Sequence, residues 1–252
     1  MAKQIGIISL TGTINGINFY LRKGKPVARK AGGGFNGKAI QKSPTMIRVR
    51  ENNTEFGHCS KVKKLFKDSL FPFLGKQRNE ELQIRLMQLF LNIKNTDTVS
   101  ERGKRNIGIG LQTPEGKALL SDFCLTPFDL PTTNGFLTAD TFQYTLPGFN
   151  TASLHFPHNA THFELQLGIV VMDFDTLKAT LHTSSSFYIP KNASAQDIVL
   201  TPTLSTPHPP SILIFVLHYR FLQEINGVFY GFQEQNNFGI KVVGVEKVFL
   251  QT

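Results

Sequence analysis

Three histidines within eight residues, His155, His158 and His162, form the only histidine cluster in the sequence. Zinc requires three or four such groups turned toward one point. Phe156-Pro157 and Asn159-Ala160 read as a strand end and a turn, and no Cys, Asp or Glu lies within the cluster. His155 and His162 are therefore expected as ordinary neighbours on opposing strands, with no metal. Gly32-Gly-Gly-Phe-Asn-Gly-Lys38 matches a phosphate-binding loop over seven positions, but Ala39 stands where a magnesium-ligating Ser or Thr belongs. That stretch reads as a hinge. Asp173 and Asp175 pair two carboxylates at a strand end. Glycoside hydrolysis needs two carboxyls facing across a cleft, roughly 5–10 Å apart and contributed by different strands. No Ser or Cys sits in a nucleophile turn. The chain reads as a non-enzyme with no catalytic set and no cofactor.

Basic residues interleaved with aromatics offer a different chemistry. Arg22, Lys23, Lys25, Arg29 and Lys30 flank Phe19 and Tyr20. Arg48, Arg50, Lys61 and Lys64 follow, with Lys63 and Lys67 beside them, and then Arg102, Lys104 and Arg105. Cations and rings in this mixture can track phosphates and stack bases, or pair with acidic groups of another copy. The charge layout admits both readings. Residues 1–105 hold 21 Lys and Arg against 7 Asp and Glu, a net +14, and residues 106–252 hold 6 against 11, a net −5, giving the whole chain +9. No zinc finger, RRM signature or clear helix-turn-helix accompanies the basic clusters.

The chain of 252 residues has 22 Phe, 5 Tyr and no Trp, and it is long enough for a large core. Cys59 and Cys124 stand far apart and read as reduced, buried small hydrophobes. The start lacks an unbroken apolar signal core, and the longest strongly apolar run, 212–217, is too short to span a bilayer. A cytoplasmic protein without membrane insertion is expected.

These residues need elements to hold them. Ile17, Phe19 and Leu21 alternate with Asn18, Tyr20 and Arg22, Lys23-Gly24-Lys25 supplies a turn, and Pro26-Val-Ala-Arg29 returns. This is a hairpin arm, spanning residues 1–34, that needs a surface to lie on because an isolated hairpin is marginal in water. Residues 35–106 form a helical region. A first helix runs from the Ser43-Pro44 cap to about Leu70, with Phe56, Cys59, Val62, Phe66 and Leu70 along one side. A second begins at Asn79 with Glu80 and Glu81 in its first turn and buries Leu82, Leu86, Leu89, Phe90 and Ile93. The two should pack antiparallel.

Residues 107–252 carry short apolar runs between Pro, Gly, Asn and Thr. Strands are expected at 142–146, 152–156, 162–173, 178–182, 187–189, 212–223, 228–232 and 239–250, with a hairpin at Asn226-Gly227 and a proline-rich loop at 201–210. The fold class that follows is α+β: a hairpin arm and an antiparallel helix pair, then an antiparallel β-sandwich.

Four ordered motifs carry a resemblance. Gly12-Thr-Ile-Asn-Gly-Ile-Asn-Phe-Tyr20, Arg48-Val-Arg-Glu-Asn-Asn-Thr-Glu-Phe-Gly57, Ala160-Thr-His-Phe-Glu-Leu165 and Glu224-Ile-Asn-Gly-Val-Phe-Tyr230, followed by Asn237-Phe-Gly239, are similar to hallmarks of an uncharacterised Bacteroidota protein family. The resemblance implies a bacterial origin and brings no activity, cofactor or site. The function expected from the residues is structural self-assembly into a homopolymer (a tube, filament or shell) by exchange of the arm. The alternative is a basic nucleic-acid-binding accessory protein of phage or ribosome type.

Overall fold

A computed structural model of the chain describes residues 2–4, 10–32, 37–76, 79–130, 134–204, 211–232 and 234–247. Residues 33–36 of the expected hinge at 32–38, residues 205–210 of the proline-rich loop at 201–210 and the end of the last expected strand, 248–250, lie outside the described residues, and the hinge's last two residues, 37 and 38, are helical instead. Two compact units divide at residues 53 and 54.

The first unit contains a four-stranded antiparallel sheet. β1 (Ala2–Lys3), β2 (Gly12–Ile14), β3 (Ile17–Arg22) and β4 (Lys25–Lys30) assemble in the order β1-β4-β3-β2. The expected β3–β4 hairpin is present, with Lys23 at φ 51° and Gly24 at φ 73° in its two-residue turn. Asn15 and Gly16, at φ 47° and 74°, make the same kind of turn between β2 and β3, so the arm is a sheet instead of a single hairpin. A short helix, α1 (Gly37–Lys42), follows. Arg50 donates to the carbonyl of Ile40, in the last turn of α1, and to that of Ser43 just beyond it. Ser43 makes no side-chain cap. Pro44–Met46 form a 3₁₀ turn instead, and α2 (Ile47–Ser69) runs unbroken through Asn52-Asn53.

In the second unit α2 continues to α3 (Phe71–Leu74) and α4 (Glu80–Asn95). Asn79 caps α4 by accepting from the Leu82 N–H at 2.9 Å, and its buried face includes each of the five apolar residues expected. The helices are antiparallel. Glu55 faces Lys94, the Cys59 thiol donates to the Phe90 carbonyl at 3.7 Å, and the Phe66 and Phe90 rings meet edge to face at 5.8 Å. Burial of each ring contributes roughly 1.5–3 kcal/mol. Phe56, expected inside, is half exposed, and Glu55 takes the inward position.

Helices persist past the expected change of texture at 107. α5 (Ile107–Gly110) and α6 (Pro114–Leu120) are capped by Asn106 and Thr113, and Pro114 occupies the first turn of α6. Ile107, Leu111 and Leu120 share one core with Phe66, Phe90 and the sheet, so residue 106 is not a domain boundary.

The strands are β5 (Phe136–Thr138), β6 (Gln143–Phe149), β7 (His162–Asp173), β8 (Lys178–Thr183), β9 (Phe187–Pro190), β10 (Gln196–Leu200), β11 (Ser211–Ile225), β12 (Val228–Gly231) and β13 (Phe238–Lys247). Six of them form one antiparallel sheet around the β7–β11 pair, whose register runs from Ser211↔Asp173 to Leu222↔His162. β11 is apolar on both faces because both are covered. Leu217, Tyr219 and Phe221 pack with Tyr144, Leu146, Ile198 and Leu200 of the three-stranded sheet β10-β6-β5, and Ile212, Ile214 and Val216 pack with the helices. The second unit thus stacks a small sheet, a large sheet and a helical layer. The expected strand at 152–156 is a 3₁₀ turn and loop, and the short strands β5 and β10 were not expected.

Candidate assembly and polyanion-binding surfaces

The register of the first unit sorts the arm residues onto two faces. Ile14 lies opposite Ile17, Phe19 opposite Ala28 and Leu21 opposite Pro26, which makes one face apolar. Ile14, Ile17 and Leu21 are 50, 43 and 58% exposed, and Phe19 is half-buried. The other face places Asn18 opposite Arg29, Tyr20 opposite Val27 and Arg22 opposite Lys25. There the Arg29 guanidinium lies 5.5 Å from the centre of the Tyr20 ring. The five basic residues therefore do not form one cluster. Lys23 is in the turn, and Lys30 stands opposite Ile17 on the apolar face. Among the described residues up to Asn53, none is buried.

The further basic candidates also separate. Arg50 is used within the first unit, as described above, and Arg48 pairs with Glu51 at 2.9 Å on the surface. Arg105 holds Glu55 through Nε and Nη2 at 2.8 and 2.7 Å. The same carboxylate accepts from the Lys94 ammonium at 2.6 Å and from the Gly103 N–H at 2.7 Å. The Arg105 contact, reinforced by Lys94 and Gly103 against the cost of burial, holds the Glu55 carboxyl down to about 2. Arg105 thus serves the fold. Lys104 pairs with Glu101, and Arg102 sits exposed in the same turn. Lys61 and Lys64 stand exposed on α2 and line a hollow of about 320 Å³ with Lys63 and Lys67. A second hollow of about 340 Å³ adjoins it and shares Lys67, Asp68 and Gln83 in its lining.

On the helix-facing side of the large sheet, Glu164 is buried and paired with the Nε of Arg220 on the neighbouring strand. His218, next on that face, is 4% exposed and stacks flat on Phe73 at 4.6 Å. Its Nδ1 has no hydrogen-bond partner among the described residues. Burial, with Arg220 nearby, pushes its pKa down to about 3, so the ring is neutral. Neither Glu164 nor His218 was singled out in the sequence, where both sit inside apolar strand runs.

The histidines, Asp173 and the two cysteines have structural positions. His155 lies in a loop, while His162 opens β7 and meets the Phe229 ring at 4.9 Å, so the two are not cross-strand neighbours. No group of three metal-type side chains converges among the described residues. Asp173 accepts from the Asp175 and Thr176 N–H groups and the Thr176 hydroxyl, closing the β7–β8 turn. Burial raises the Cys59 and Cys124 thiols to about 11, and Cys124 is only half-buried. Among the described residues, no helix is long and apolar enough to cross a membrane.

Among the described residues the large sheet ends at two edge strands, β8, which pairs with β7 alone, and β12. β13 is covered on its outer side by residues 122–125, through backbone bonds such as Leu125 N–H to Ile240 O at 2.8 Å. β12 pairs with β11 alone among the described residues, and Val228, Phe229 and Tyr230 are all exposed. No protein-family model matches this chain, and it has no significant match among curated proteins or solved structures.

Proposed function

We propose that the protein is a structural, self-assembling subunit whose N-terminal sheet seats on a neighbouring copy. The observation that carries this reading is the amphipathic sheet with an exposed apolar face and no buried residue among those described. Apolar surface of that kind is stabilised by cover from another surface. The open β12 edge, with Val228, Phe229 and Tyr230, is a suitable receptor, because an added strand gains main-chain hydrogen bonds there. Glu224 and Glu234 are exposed near that edge and complement Arg22, Lys25 and Arg29. A contact between two different patches does not close on itself unless the rotation happens to, so it extends into a tube or filament. The four-motif resemblance fits a bacterial source. The test is Phe19→Asp, which places a carboxylate on the apolar face. Light scattering should show the parent protein assembled and the variant monomeric, since burying an unpaired carboxylate costs several kcal/mol. An unchanged mass distribution would reject the reading.

A further inference from the structure

The basic hollows beside α2 belong to neither the arm nor the fold's internal ion pairs. Lys61, Lys64 and Lys67 recur at three-residue intervals, about 4.5 Å apart along the axis. With Lys63 they line the first hollow, where Asp68 is the only acidic wall residue among the described residues. The adjoining hollow adds Lys76 and Phe71, and Phe71 is 53% exposed although it opens a helix packed on the core. None of these five lysines forms an ion pair among the described residues. By contrast Arg105, Lys94, Lys117 and Lys241 all do. Five cations of the chain's basic first part are thus gathered along the two adjoining hollows without an ion pair among the described residues. Hollows of this size lie near the lower end of the range for small ligands, roughly 300–1,000 Å³, which gives room for a single unstacked base.

We infer that this groove binds a single-stranded nucleic acid, with phosphates following Lys61, Lys64 and Lys67 and a base stacked on Phe71. Lysines along a track neutralise successive phosphates without reading sequence, and an exposed ring accepts any base. An acidic protein segment would satisfy the lysines but gives no role to the exposed ring. The inference is independent of assembly, since the groove lies wholly in the second unit.

Fluorescence anisotropy of labelled oligo(dT) with the full-length protein tests it. Affinity should fall with salt, and Lys61→Gln/Lys64→Gln/Lys67→Gln should reduce the log–log salt slope by about 2. Phe71→Ala should weaken binding about tenfold with the slope unchanged. Arg22→Gln/Lys25→Gln/Arg29→Gln should leave the affinity intact, and light scattering should find the groove variants assembled as the parent is. Absence of oligo(dT) binding overturns the proposal. So does loss of binding in the arm variant but not in the groove variants. Displacement of the oligonucleotide by polyglutamate as readily as by unlabelled oligo(dT) also overturns it and assigns the groove to an acidic protein.

Discussion

Glu55 and Lys94 face one another across the antiparallel pair α2 and α4 at 2.6 Å, with side chains only 2 and 7% exposed. Arg105 and the Gly103 N–H close the remaining sides of the carboxylate. One carboxylate therefore ties together two helices and the loop after them, and it is charged because its partners outweigh the cost of burial.

That arrangement predicts an acid-sensitive fold. The folded value, about 2, lies below the ordinary 4.5, so the contribution is complete above about pH 4.5 and is lost as pH falls toward 2. Glu55→Gln leaves Lys94 buried without a counter-charge and should cost about 3–5 kcal/mol in urea unfolding at pH 7. The variant's stability should also vary less than the parent's between pH 4.5 and 2.

His218 predicts a second, separable pH effect. Its folded value near 3 lies below the ordinary 6.5, so the unfolded chain takes up a proton first as pH falls. Stability should decline between those values by about 1.4 kcal/mol per pH unit. His218→Phe retains an aromatic stack on Phe73 and removes the buried, unsatisfied Nδ1. Unfolding midpoints from pH 7 to 4 should flatten in this variant, and an unchanged pH dependence would exclude the histidine as its source.

Tyr219 predicts a purely structural loss. Its ring lies over Gly239 of the neighbouring strand, a position with no room for a Cβ. Its hydroxyl donates to Phe128 O at 2.9 Å and accepts from Leu130 N–H at 3.0 Å. Tyr219→Phe leaves both backbone groups without that partner and should cost about 1–3 kcal/mol in denaturant unfolding, with no change in assembly.

Local patterns were legible wherever the deciding neighbours are close in sequence. The limits of β7 at 162 and 173 follow from alternation at Phe163, Leu165 and Leu167 that runs into the apolar stretch 169–172, between a turn and Asp173. The Asn226-Gly227 hairpin, at φ 52° and 79°, and the Asn79 cap follow from short-range turn and cap chemistry. The start of α6 was also written locally, in Thr113-Pro114-Glu115, but the surrounding Gly and Thr residues read as sheet. Glu55 was not legible, because an apolar period points to Phe56, and only Lys94 and Arg105, 39 and 50 positions away, make the carboxylate the better inward residue. The arm's hairpin was readable from alternation, whereas the separation of Lys30 from Arg22, Lys25 and Arg29 required the strand register. In the same way the groove emerges only once Arg50 and Arg105 are found bound to partners within the fold and Arg48 and Lys104 paired at the surface, while Lys61 and Lys64 line one hollow.

Salt separates the two roles of the basic residues. If arm cations meet acidic groups of another copy, assembly weakens as salt rises and resists nuclease, because exposed pairs beyond a Debye length are screened. Sedimentation across a salt series, with and without nuclease, should give the same loss of large species in both arms. Nuclease-driven disassembly would mean that nucleic acid, and not protein contact, joins the subunits.

Deletion of residues 1–34, followed by gel filtration with light scattering, decides whether the N-terminal sheet drives assembly. Every described residue that is buried lies at Glu55 or beyond, so the shortened chain should remain folded and soluble. It should elute as a monomer with the helical signature of the parent, while the intact chain forms larger species. Assembly of the shortened chain to the same mass as the parent would contradict the account.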